Sequence, residues 1–251
     1  MNNDLNFWTY SDDIPNDVGF EQFSFVHIKW LVLIVLLTFF IVRYFKRLPE
    51  KYKDIMLKTT GSFLVFLIVL RIVVLCMGNN MSVYELPLHL CSLAGFLCMA
   101  HAFFKWDFLG QVIYSLCLPG TVLALVFPDW SYYPAFNFIT VQAFLFHGGI
   151  VLYTIMALAG GKIKPSVYKM WKAILFLVII VPVIYLFDRH YDVNYMFVLR
   201  PSADSPLEWI DKTMGRSGYL IGYAILTIMV VTLMNVLYGA IHGFKRTDND
   251  N

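Results

Sequence analysis

The stretch YELPLHLCSLAGF, residues 84–96, sets a glutamate, a proline, a histidine and a cysteine at the head of an apolar run. Cys91 is the candidate nucleophile. A thiol surrounded by hydrocarbon stays protonated and inert. A histidine within hydrogen-bond reach takes its proton and restores a nucleophilic thiolate. The thioester formed next is a competent acyl carrier, because a thiolate leaves readily when a second nucleophile attacks. Without such a partner, a membrane cysteine is ordinary packing material.

Helical spacing sorts the neighbours. His89 and Cys91 are two positions apart, about 200° around a helix, so they are expected on different sides. His89 then shares a face with Glu85 as a local pair. Cys91 shares its face with Pro87, Ala94, Gly95 and Cys98, small residues that permit close packing or a cavity. The base for Cys91 is therefore expected from another helix, and His147, in FLFHGG, is the candidate. Gly148 and Gly149 after it admit a substrate chain or another helix. Arg71 has a planar fork suited to a lipid phosphate, though snorkelling or pairing with Glu85 would account for it equally.

These groups need elements to hold them, and the composition names the solvent. Of 251 residues, 59% are hydrophobic, 14% are charged, and 22 are Phe. A soluble domain of this length cannot bury that much apolar surface, so the bilayer must take it. The reading is all-α: a polytopic bundle of about seven transmembrane helices. The spans are residues 27–45, 59–77, 85–104, 108–127, 138–159, 168–187 and 217–240, each near the roughly 20 residues that cross the hydrocarbon. Pro119-Gly120 interrupts the fourth, as kinked membrane helices tolerate. Lys and Arg concentrate in alternate loops (RYFKRLPEKYKDIMLK, KW, GKIKPSVYKMWK, HGFKR), which puts the N-terminus outside and the C-terminus inside. Trp130, Tyr132 and Tyr133 then read as an outer aromatic belt, with Trp106, Tyr168 and Trp171 at the inner interface.

The organisation is one domain, residues 27–245, with an acidic extracytoplasmic segment before it, 1–26, and a polar tail after it, 246–251. The leading segment contains no Lys or Arg, so the first helix is expected to insert uncleaved. The formal charge of +2, with its cations in short interhelical clusters, excludes a nucleic-acid partner. The four cysteines lack CxxC or zinc-finger spacing, which leaves neither a disulfide framework nor a structural metal site.

Polar residues inside the spans are few: Arg71, His89, Cys91, Gln111, Gln142 and His147. Such residues are functional hypotheses by default. Arg71 and Cys91 are each expected about 9 Å below the outer boundary, and His147 about 13 Å below it. The long loop of residues 188–216 adds Asn194, Tyr195 and Arg200, either as a lid over an outward cavity or as a solvated connector with a short interfacial helix over 206–212.

The order of LPLHLCSL, LPGT, FLFHGG and NYMFVLRP along the chain resembles the YwaF-like family of integral membrane proteins, which includes transmembrane protein 164 of animals. The resemblance runs from about residue 25 to 245. It implies acyl transfer from a phospholipid to a lysolipid through a cysteine and a histidine, which on matching motifs are Cys91 and His147. The expectation is therefore a multi-pass cell-membrane acyltransferase that needs no cofactor and whose partners are membrane lipids. His89, Arg71, Asn194, Tyr195 and Arg200 would position head groups. The rival is a multi-pass transporter or solute-binding subunit, with the same polar residues lining a central site. A metal site of His89, Cys91 and His147 suffers from the opposed faces of the first two.

Overall fold

The computed structural model describes residues 5–10, 14–15, 18–202 and 205–243. Among these the chain is all-helical: α1 (Phe25–Arg47), α2 (Glu50–Met77), α3 (Leu90–Phe104), α4 (Asp107–Val112), a π turn (Ile113–Cys117), α5 (Leu118–Val126), α6 (Phe138–Ala159), α7 (Trp171–Tyr191) and α8 (Pro206–His242). Counting α4 through α5 as one, six helices are long and apolar enough to cross a membrane, and α3 is a shorter apolar helix. The tail 246–251 lies outside the described residues.

Three elements differ most from the sequence expectation in extent. α2 begins at Glu50 rather than 59, so its first turns carry the charged residues that precede the apolar run. The third span begins at Leu90 rather than 85. Pro87 has no N–H and pushes the residue before it out of the helical region, and Leu86 is accordingly extended, at φ −63° and ψ 146°. Residues 83–85 form a separate short turn, and His89 is the N-cap of α3. The last helix reaches back to Pro206, through a break at Gly215 where φ is 66°, a conformation glycine adopts without strain. The interfacial helix expected over 206–212 is thus the first part of α8.

α6 is the hub. It is apolar on every side, as a helix surrounded by others must be, and glycines set its contacts. A Cβ on Gly148 would stand 3.0 Å from Ile34 of α1, and one on Gly149 would stand 2.8 Å from Leu64 of α2. The two glycines after His147 therefore admit neighbouring helices. Trp30 of α1 stacks on Phe144, with centroids 4.9 Å apart. α2 meets α3 more tightly still, since a Cβ on Gly61 would lie 2.9 Å from Cα of Met99.

The two ends of the bundle are chemically distinct. One end gathers the cations: Lys162 pairs with Glu50 and Asp54, Lys105 with Asp54, and Lys169 and Lys172 with Asp107. Trp106, Tyr168 and Trp171 are exposed there, as a belt requires. At the other end a strap made by the N-terminal segment folds across the bundle. Phe138 N–H donates to Phe7 O, Asn137 to Thr9 O, and Phe20 N–H to Ser131 O. Here the belt expectation needs correcting: Trp130 and Tyr133 are only 6% and 2% exposed. The strap and α6 cover them, and only Tyr132 faces outward.

Candidate functional site

Of the polar side chains singled out in the sequence, Arg71 and His89 lie at the strap end, and Gln111 lies at mid-bundle. Arg71 extends from α2 toward the lead-in to α3 and pairs with Glu85, Nη2 to Oε2 at 2.7 Å. Tyr10 of the strap donates its phenolic O–H to the other Glu85 oxygen. Burial, and then the carboxylate it faces, raise the Tyr10 phenol above its ordinary value, so it remains a donor. Glu85 is thereby committed to Arg71 and Tyr10, and the expected Glu85–His89 pair does not form.

His89 is extended, at φ −64° and ψ 151°, so the helical wheel does not govern its direction. Its Nδ1 accepts from Met196 N–H at 3.3 Å, and its ring meets Tyr195 edge-on at 4.9 Å. With Nδ1 as acceptor, Nε2 carries the proton. His147 has the opposite tautomer. Its Nδ1 lies 2.7 Å from Ala143 O, and a carbonyl only accepts, so Nδ1 is protonated and Nε2 keeps its lone pair. Trp130 stacks on the ring at 4.8 Å. The two histidines and Arg71 lie within electrostatic range of one another.

Cys91 occupies the second position of α3. Its face is the interior one, as the spacing predicts: Ala94, Gly95 and Cys98 are buried, and a Cβ on Gly95 would touch the ring of Phe146 at 3.0 Å. Cys91 is one turn above Gly95 and His147 follows Phe146, so the Gly95–Phe146 contact joins the two helices that carry them. No hydrogen bond joins them among the described residues. Thr121 of α5 lies against the thiol, and Cys117, Asp129 and, on α8, Tyr223 lie within electrostatic range of it.

The loop after α7 packs over His89 rather than standing free. Met196 and Phe197 have positive φ, 52° and 56°, a costly conformation for such residues that surrounding contacts must impose. Those contacts are present. Tyr223 donates to Met196 O, Tyr219 to Phe197 O, and Tyr195 to Val83 O. Asn194 braces the loop internally, accepting from Leu199 N–H and Arg200 N–H and donating to Arg200 O. Arg200 is exposed, 3.8 Å from Asp192.

A cavity of about 370 Å³ opens at the strap end between α2 and α6, lined by Trp8, Tyr10, Val74, Met77, Asn137 and Ile139 among others. Its wall is mainly apolar, and Cys91 and His147 are not part of it.

Several functional candidates escaped the sequence. Thr121 Oγ1, Trp130 Nε1 and both Asp188 carboxylate oxygens are buried without a hydrogen-bond partner among the described residues. At mid-bundle, Gln111 donates to Ser115 and Asn235, and Asn235 to Ser115. Gln111 had a visible signal, while Ser115 and Asn235 needed helix rotation to reveal them. Thr121 lay inside LPGT, a motif noted for its order and not for its hydroxyl.

Taken together, these features define a polytopic helical membrane protein with a cysteine- and histidine-bearing polar site set into one end. The sequence model of the TMEM164 family matches residues 22–235. The chain belongs to this family. Neither a curated protein nor a solved structure matches it.

Proposed function

We propose that the protein is a lipid acyltransferase that carries the acyl chain on Cys91. The observation that supports it most is the His147 tautomer: the Ala143 carbonyl leaves Nε2 unprotonated, on the helix that packs against α3 near the cysteine at its head. His147 Nε2 takes the thiol proton while the sulfur attacks an acyl ester carbonyl. The S–C bond forms, the ester C–O bond breaks, and the departing lysolipid oxygen receives the proton from His147. In the second half His147 takes the proton of an acceptor hydroxyl, which attacks the thioester and releases the thiolate to be reprotonated. In this reading the Cys91–His147 hydrogen bond forms when substrate binds, since catalytic hydrogen bonds often tighten only in the loaded site.

His89, through Nε2–H, and Arg71 are the head-group ligands of this reading, with Arg200 at the rim. Asn194 and Tyr195 act by fixing the loop that holds His89. The apolar cavity under the strap suits an acyl tail. The strap end faces away from the cytoplasm, since the cations mark the opposite end, and the cell membrane is the expected location.

A transporter needs a polar route to both faces. Away from the strap end most polar groups bond to one another, Gln111 with Ser115 and Asn235, and His101 through Nδ1 with Tyr153 at 2.7 Å, with His101 Nε2 buried without a partner among the described residues. This favours catalysis at one end. The test is lipid mass spectrometry of the purified protein with mixed phospholipids and lysolipids, beside Cys91→Ser and His147→Ala. New acylated species in the wild type alone are expected. Identical spectra from all three folded proteins would remove the enzyme reading and bring the transporter forward.

A further inference from the structure

We infer that Thr121 and the uncapped backbone N–H groups at the head of α3 form the oxyanion site for acyl transfer at Cys91. The inference rests on the reading that Cys91 carries the acyl chain.

Thr121 is anomalous among the buried helical threonines: Thr140 donates to Pro134 O at 2.9 Å and Thr154 to Ile150 O at 2.8 Å. Thr60, Thr154, Thr213, Thr227 and Thr232 each donate to the carbonyl four residues back, at 2.8–2.9 Å. This is the usual resting place of a hydroxyl in a helix. Thr121 lies in α5 and is fully buried, yet its Oγ1 has no partner among the described residues. A buried hydroxyl without a partner is costly and uncommon, and it needs a physical reason.

The reason is what it faces. Thr121 stands beside the Cys91 side chain with its hydroxyl turned to the sulfur, and a Cβ on the adjacent Gly120 would be in ordinary contact with Leu90 Cδ2 at 3.4 Å. The Gly120–Thr121 step thus abuts the Leu90–Cys91 step. The first N–H groups of any helix lack intrahelical acceptors. In α3 the N-cap residue His89 supplies no side-chain cap, because its ring turns to Met196 and Tyr195 instead. Free N–H groups, the positive end of the α3 dipole and one hydroxyl that faces only the sulfur therefore converge there. When the sulfur adds to an ester carbonyl, the carbonyl oxygen becomes an oxyanion within reach of these donors, and it becomes a carbonyl again when the alkoxide leaves. Donors fixed before the reaction are what such a step requires.

The experiment uses the full-length protein in lipid nanodiscs, with p-nitrophenyl octanoate as the acyl donor. Nitrophenolate release and intact mass report thioester formation for the wild type, Thr121→Val, Thr121→Ser and Cys91→Ala. In parallel, iodoacetamide alkylates Cys91, scored on the peptide that carries it. Displacement of iodide from a saturated carbon creates no oxyanion, so it reports thiol reactivity and an intact site alone. The expected result is acylation slowed about 100-fold or more in Thr121→Val, near-normal acylation in Thr121→Ser, and unchanged alkylation in both. Acylation at the wild-type rate in Thr121→Val overturns the assignment. So does an equal fall in alkylation, which would make Thr121 a partner of the thiolate. Thioester formation that persists in Cys91→Ala overturns the reading of Cys91 itself, whatever Thr121 does.

Discussion

Removing Glu85 while keeping Arg71 is the sharpest physical test of the strap end. The Glu85 side chain is 8% exposed and that of Arg71 34%. The carboxylate takes two strong bonds, from Arg71 at 2.7 Å and from the Tyr10 phenol. Stripping one partner from a fully buried pair costs about 3–5 kcal/mol, mostly because a charge is left uncompensated. Arg71 is a third open, so its cation regains some solvation, and about 2–3 kcal/mol is the expected loss for Glu85→Leu. Arg71→Leu leaves the carboxylate with Tyr10 alone and should cost a similar amount. The double variant removes both charges and should be about as stable as either single one, giving a coupling near 2 kcal/mol. The assay is reversible unfolding in mixed micelles by added anionic detergent, followed by tryptophan fluorescence. Losses that add to within about 0.5 kcal/mol would mean the pair is held apart or well hydrated, and the account of Glu85 as the anchor of the site would fall.

Three further outcomes are expected. Gly61→Ala should destabilise by about 1–3 kcal/mol through overpacking, because its methyl meets Met99 backbone at 2.9 Å rather than a yielding side chain; the same unfolding assay checks it. Gly19→Ala should release the strap while leaving the bundle intact, since its Cβ would sit 2.4 Å from Ser131 O, the acceptor of Phe20 N–H; faster proteolysis before Phe25 with an unchanged melting temperature is the readout. The Glu50 and Asp54 carboxylates hold Lys162 above its ordinary range. A raised pKa stabilises fully below the unfolded value near 10.4 and loses that contribution as pH climbs past it. The stability advantage of wild type over Lys162→Met should therefore be present at pH 8 and fade above about pH 10.5.

Element existence was legible because apolar length is a direct consequence of bilayer thickness, and each expected span has a helix at its place. Cys91 and its small-residue face were also legible, since a helical wheel applies within α3. It failed one step earlier, at His89, where Pro87 ends the regular geometry on which the wheel depends. Thr121, Ser115 and Asn235 stayed hidden because sequence fixes depth but not rotation, whereas Trp130, read as a belt residue, sits in the turn before α6 and is covered. Tyr10 stayed hidden for a different reason: its partner Glu85 is 75 residues away, and nothing local in an acidic leader signals that it folds back.

The π turn of Ile113–Cys117 amounts to one residue accommodated inside an otherwise continuous helix. Its i→i+5 bonding winds more loosely than the roughly 100° per residue of a regular helix, so its five residues cover about the angle that four would. With Gln111 locked to Asn235 upstream, deleting one residue from 113–117 would restore a regular helix and leave Thr121 facing the sulfur. The same deletion in a stretch without the turn would rotate everything after it by about 100°. A single-codon deletion within the turn is therefore a change of composition and not of phase, and it separates the residues this protein contains from the angle at which it presents them.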